Sequence, residues 1–149
     1  MSSSNPGPVP AAVLAQLALA LDDAFEANDR KALTHEALVG IAKERATTVG
    51  RCYAATLLAP EVAIAETCVN KVVFCAGECQ KHGSLECLDR AADDLEARRA
   101  SGQEGFDIAV RQCLKKCDRA AACEIRTPDG TAVLTETTSE TLSLALSAL

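Results

Sequence analysis

Aromatic side chains are nearly missing from this chain: three Phe, one Tyr and no Trp among 149 residues. Surfaces that stack single-stranded bases are built on such rings, so that mode of binding is excluded. Positive charge is also short, with 15 Lys and Arg against 21 Asp and Glu and a formal charge of −6. An extended nucleic-acid surface needs a basic field, and a protein partner fits this balance better. No apolar run reaches the roughly 20 residues that span a bilayer. The nearest secretory candidate, "VPAAVLAQLALALDDAFEA", has no positive residue before it, is interrupted by Gln16 and runs directly into acidic residues. It reads as a helix of the mature protein, and the expected compartment is cytoplasmic. Phosphate loops, glycine-rich dinucleotide fingerprints and nucleophile elbows are lacking too. Only two histidines occur; His35 sits beside a helix cap and is expected to face solvent, and His82 could at most hydrogen-bond near a site. The chain is therefore not expected to bind NAD or transform a substrate alone.

What the chain does have is cysteine. Apolar residues make up 48% and charged residues 24%, an ordinary globular balance, and the length suffices to bury a core without covalent staples. Eight cysteines are thus not needed to hold the fold together. In a reducing compartment they favour metal ligation or redox work over a disulfide framework.

Organisation changes along the chain. Residues 1–10, "MSSSNPGPVP", carry three of the five prolines and read as a flexible leader. Residues 11–66 read as a small helical bundle. Leu14, Leu17, Leu21 and Phe25 recur at three- and four-residue steps on a helix ending near Asn28. Thr34 caps a second helix with Leu38, Ile41 and Ala42 inward. A third runs from about Thr47 to Leu58 and is ended by Pro60. From residue 67 onward the signals become mixed. "KVVF" is a short buried strand, and Ser84 is a candidate cap for a helix with Leu85, Leu88, Ala92 and Leu95 on one face. "FDIAVRQC" alternates Phe106, Ile108 and Val110 inward with Asp107, Arg111 and Gln112 outward. "ACEIRTPDGTAVLTET" reads as two strands around a Pro128-Asp129-Gly130 turn. Ser139 then caps a last helix with Leu142, Leu144, Leu146 and Leu149. The expected class is α+β, a β-α-β-β-β-α unit over residues 67–149 preceded by helices.

Two cysteine pairs repeat one spacing, Cys75 and Cys79 in "KVVFCAGECQKHGS" and Cys113 and Cys117 in "RQCLKKCDR". Each pair lies in the loop leaving a strand. If those strands are neighbours, both loops emerge at one sheet end and four sulfurs can converge, as a four-thiolate metal site requires. Tetrahedral zinc and an iron–sulfur cluster both suit this spacing. A structural zinc usually staples a unit lacking a core, whereas a whole strand-helix-strand separates these pairs. Lys81, His82, Lys115, Lys116 and Arg119 also surround the cysteines in an otherwise acidic chain, which suits an anionic cluster that gains charge on reduction. Both features tilt the choice to iron–sulfur. Cys52, Cys68, Cys87 and Cys123 form no further matched pair and are expected to pack, with Cys68 a thiol close to the first strand.

The segments "VVFCAGECQKHGSLECL", "VRQCLKKCDRAAACEI" and "PDGTAVLTETTSETLSLAL" resemble the thioredoxin-like 2Fe-2S ferredoxin domain of the NADH dehydrogenase 24 kDa subunit. The gamma subunits of NAD-dependent formate dehydrogenases and small subunits of NAD-linked hydrogenases share that pattern. The likeness covers about residues 70–149, and "HEALVGIAKERATTVGRCY" resembles the family's helical bundle more weakly. The first pair encloses three residues where the family usually has four, and Lys115 stands where the family has Gly. The resemblance implies a 2Fe-2S cluster on Cys75, Cys79, Cys113 and Cys117, and a partner subunit that binds flavin and NAD. The alternative is a binding or structural subunit of the same fold that holds zinc or no metal.

Overall fold

The structure, a computed structural model, describes residues 10–76, 83–112 and 121–149. Helix α1 (Ala11–Ala27) buries Leu14, Leu17, Leu21 and Phe25, the four residues of its apolar stripe. Its first turn has no side-chain cap. Packing replaces that missing contribution, since each such buried side chain is worth about 1.5–3 kcal/mol. Helix α2 (His35–Glu44) starts where the Thr34 hydroxyl accepts the Ala37 N–H at 3.2 Å. Helix α3 (Val49–Ala55) starts in the same way, Thr48 accepting from Arg51, and ends in a single tighter turn, Thr56–Leu58.

Beyond the helices lies a four-stranded mixed sheet in the order β2-β1-β3-β4. Strand β1 (Lys71–Cys75) pairs in parallel with β2 (Asp107–Arg111), from Lys71 opposite Asp107 to Cys75 opposite Arg111. Parallel neighbours need a long crossover, and α4 (Ser84–Ala100) provides it. Strand β3 (Cys123–Thr127) runs antiparallel to β1 on its other side, and β4 (Gly130–Leu134) returns from it through Pro128 and Asp129. Gly130, which opens β4, has φ 141°, a conformation that glycine adopts without strain. Helix α5 (Ser139–Leu146) then packs against α4. The chain is α+β, in the order α1, α2, α3, β1, α4, β2, β3, β4, α5.

One hydrophobic core runs through helices and sheet alike, from Leu21 and Leu38 through Tyr53 to Phe74, Leu88 and Leu142. Close approach at Gly50 helps to join the two parts. A β-carbon there would sit 2.2 Å from the Asp89 carboxylate; without one, the Gly50 N–H donates to Asp89 Oδ1 at 2.9 Å. Burial pushes the Asp89 carboxyl up, opposed by the Thr48 hydroxyl and the Gly50 N–H.

Several local expectations are corrected. Gly83, in the left-handed region at φ 89°, precedes α4, so Ser84 is the first helical residue and does not cap it. The cap of α5 is Thr138 rather than Ser139: its hydroxyl accepts from the Thr141 N–H and its own N–H donates to the Thr141 hydroxyl. Of the α5 leucines, Leu142 and Leu146 are buried one turn apart, whereas Leu144 is 75% exposed. Asp107 does not face solvent. It is 9% exposed because its carboxylate accepts the Thr67 and Cys68 backbone N–H groups, each at 3.0 Å. His35, expected to be exposed, is 7% exposed.

Leu88, fully buried at 0% exposure, gives the fold its stability test. Leu88→Ala should lose about 2–5 kcal/mol in urea denaturation, and Leu144→Ala should change stability by no more than about 0.5 kcal/mol. Similar losses at both positions would contradict the packing of α4 and α5.

Candidate functional site

Strand β1 carries Cys75 to its C-terminal end. Successive strand residues face opposite sides, and this alternation separates Cys75 from Phe74. Phe74 joins the main core, whereas Cys75 belongs to a small separate cluster with Ala121 and Ala122. At 1% exposure the thiol is buried. Its Sγ donates to the Gln112 carbonyl at 3.4 Å, and its backbone N–H donates to the Ala122 carbonyl at 3.3 Å. Ala76 N–H donates to the Arg111 carbonyl at 2.9 Å, which extends the strand pairing one step further. Cys75 thus sits between the chain leaving β2 and the chain entering β3.

The other three expected ligands, Cys79, Cys113 and Cys117, lie outside the described residues, as do Lys81, His82, Lys115, Lys116 and Arg119. Connectivity still constrains them. Cys113 directly follows Gln112, whose carbonyl the Cys75 thiol touches. Because β1 and β2 are adjacent and parallel, the chain segments bearing the two pairs leave the same end of the sheet. The condition set from the sequence, that the two strands be neighbours, is met. Helix α4 follows the first cysteine segment in the chain, after Gly83, and its first residue Ser84 has a buried hydroxyl without a hydrogen-bond partner among the described residues. Among those same residues, no three Cys, His, Asp or Glu side chains gather into a metal-binding group.

The remaining cysteines differ in kind. Cys52, Cys87 and Cys123 lie in the main core. Burial, the leading cause in each case, pushes their thiols up to about 11, 11 and 12; Asp89 adds to the effect at Cys52, Glu86 at Cys87, and Cys87 itself at Cys123. A metal ligand or nucleophile must be a thiolate, so these three are poor candidates for either role. Cys68 is partly exposed, with its sulfur 3.7 Å from the Thr67 hydroxyl.

A second polar cluster, which sequence reading missed, joins the helices to α4. His35 Nδ1 lies 2.6 Å from the Tyr53 hydroxyl, and the two rings stack with centroids 5.8 Å apart. Which of the two atoms donates is set by the imidazole tautomer. Nε2 is 3.8 Å from Glu96 Oε1, beyond hydrogen-bond reach. Burial first, and then the Arg99 charge, holds His35 below its ordinary value, with Glu96 opposing. A signal was present in the sequence: His35 stands three and seven residues before Leu38 and Ala42, on the inward stripe of α2.

No protein-family model matches the chain, and no curated protein matches it.

Two outcomes follow from these environments. In folded protein at pH 8, iodoacetamide should label Cys68 well before Cys52, Cys87 and Cys123, which should react only after denaturation; mass spectrometry reads the order. Equal labelling would contradict their burial. His35 has a folded pKa below its unfolded one, so stability is fully present above about 6.5. It falls as pH drops through that value, by at most about 1.4 kcal/mol per pH unit, because the unfolded chain takes up the proton first. His35→Gln should flatten this part of the stability curve in urea denaturation between pH 7.5 and 5.5; an unchanged slope would show that other groups cause it.

Proposed function

We propose that the chain is an electron-transfer subunit of a cytoplasmic NAD-linked oxidoreductase, carrying a 2Fe-2S cluster on Cys75, Cys79, Cys113 and Cys117. The observation that carries this reading is the parallel pairing of β1 with β2, with Cys75 Sγ against the carbonyl of the residue preceding Cys113. The thioredoxin-like assignment draws support from the strand order, the α4 crossover, and the β3–β4 hairpin followed by α5. It also rests on the resemblance of the cysteine segments to the ferredoxin domain of the NADH dehydrogenase 24 kDa subunit.

The described donor set suits such a group. Cys75 offers a buried sulfur that clusters, among the described residues, with the small side chains of Ala121 and Ala122. The N-terminus of α4 carries a positive partial charge and, at Ser84, a buried hydroxyl without a partner among the described residues; donors near thiolate sulfurs favour reduction. When bound, the cluster supplies one-electron exchange with a flavin held by a partner subunit. The chain's own residues handle the proton and the water. Cys75 releases the proton it now directs at the Gln112 carbonyl when it becomes a thiolate ligand, and the alanines beside it keep solvent out. The helical region serves as the docking side, where α1 leaves Val13 37% and Leu19 65% exposed.

Protein purified without oxygen should be reddish brown, bleach on addition of dithionite, contain two irons per chain, and give a rhombic low-temperature paramagnetic signal. Cys113→Ser should abolish or alter that signal and Cys87→Ser should leave it unchanged. Equal loss in both variants would overturn the ligand assignment, and colourless protein with stoichiometric zinc would replace electron transfer with a structural role.

A further inference from the structure

Where the helical region meets the sheet, α2, α3, α4, β2 and the stretch before β1 enclose a cavity of about 390 Å³. Its position follows from the backbone. Leu33 N–H donates to the Ala63 carbonyl and Ala65 N–H to the Leu33 carbonyl, both at 2.8 Å, which ties the entry to α2 against the stretch leading to β1. Asp107, holding the Thr67 and Cys68 N–H groups, closes that stretch onto β2. The lining mixes two chemistries: Ile64, Leu95, Phe106 and Ile108 are apolar, while Arg99, Glu36, Asp107 and the buried His35 and Tyr53 pair are polar. Ligand pockets combine apolar walls with polar groups that fix orientation, and often lie between structural units.

We propose that this cavity binds a small organic carboxylate with an aliphatic body. The sign of the charge follows from which groups still have bonding capacity. Asp107 is an unpromising anchor for a cationic ligand, since both its oxygens already accept backbone N–H groups and Oδ1 also faces the Thr67 hydroxyl at 3.4 Å. Glu36 is largely exposed and is engaged with Arg99. Arg99 is the group with donors to spare: Glu36 takes one of its nitrogens, and a guanidinium has five N–H donors in a fixed fork that matches a carboxylate. The carboxylate would meet Arg99 while the aliphatic body fills the space among Ile64, Leu95, Phe106 and Ile108. The volume is at the small end of ligand pockets, which sets the size of the acid. The described lining holds no cysteine, and the test does not depend on a cluster being present.

The test compares isovalerate, isovaleramide and isoamylamine, three molecules of similar shape that differ in charge, by calorimetry and by nuclear magnetic resonance of the full chain. Isovalerate should bind, shift the His35 imidazole and Phe106 ring signals, and bind at least about tenfold more tightly than the amide, as a charge-assisted pair requires. Arg99→Gln should remove that preference, and Arg99→Lys should restore part of it. Ala65→Leu, which adds bulk at a lining position, should weaken binding. Several results would overturn the proposal: acid and amide binding equally, the amine binding best, no detectable binding of isovalerate, or shifts that leave His35 and Phe106 unmoved. The comparison of the three ligands on the unaltered protein stands even if a variant fails to fold.

Discussion

A single parallel strand pairing organises this protein. β1 is an inner strand, with β2 on one side and β3 on the other, and all its residues after Lys71 are buried. Because β1 and β2 run in the same direction, the chain leaving each of them emerges at one end of the sheet. The α4 crossover is the geometric cost of that arrangement. Its buried face, Leu85, Leu88, Ala92 and Leu95, is what holds the pair in place. The same constraint decides the fate of Cys75: it ends β1 on the face opposite Phe74, outside the main core, beside residues that lead into and out of the second cysteine segment.

That placement divides the cysteines by environment. Cys75 sits beside alanines at a strand end, where its thiol donates a hydrogen bond to the Gln112 carbonyl. Cys52, Cys87 and Cys123 lie deep in the shared core, where burial favours the neutral thiol and opposes thiolate chemistry. The join between helices and sheet shows the same logic with other side chains. Asp107 and Asp89 are both drawn inward, and each is compensated by backbone N–H donors, as a buried carboxylate must be. His35 is compensated on one nitrogen only.

Much of this was legible in the sequence where periodicity and burial agree. The stripe of α1, the inward positions of α2 and α4, the β1 run and the hairpin turn follow from spacing alone, because apolar residues at helical or alternating intervals have few other ways to leave water. Caps were readable only to within a residue. Thr34 met its role, but Ser84 and Ser139 lost theirs to Gly83, which accepts a left-handed backbone, and to Thr138, which closes a reciprocal box with Thr141. Asp107 and His35 were misjudged for a shared reason. A polar residue in an alternating or capped segment defaults to the surface unless its partner is known, and their partners, Thr67 with Cys68 and Tyr53, are distant in sequence. That β1 and β2 lie side by side, as the four-cysteine reading needs, was readable only as a conditional, since strand adjacency is a tertiary fact.

The most direct examination of the four-thiolate reading is an anomalous-scattering map at the iron edge from crystals grown without oxygen. One compact iron site beside Cys75 Sγ at the C-terminal ends of β1 and β2, contacted by Cys79, Cys113 and Cys117, is the expected result. Iron bound elsewhere, or a fully loaded crystal in which Cys75 still faces the Gln112 carbonyl with no metal near it, would contradict it.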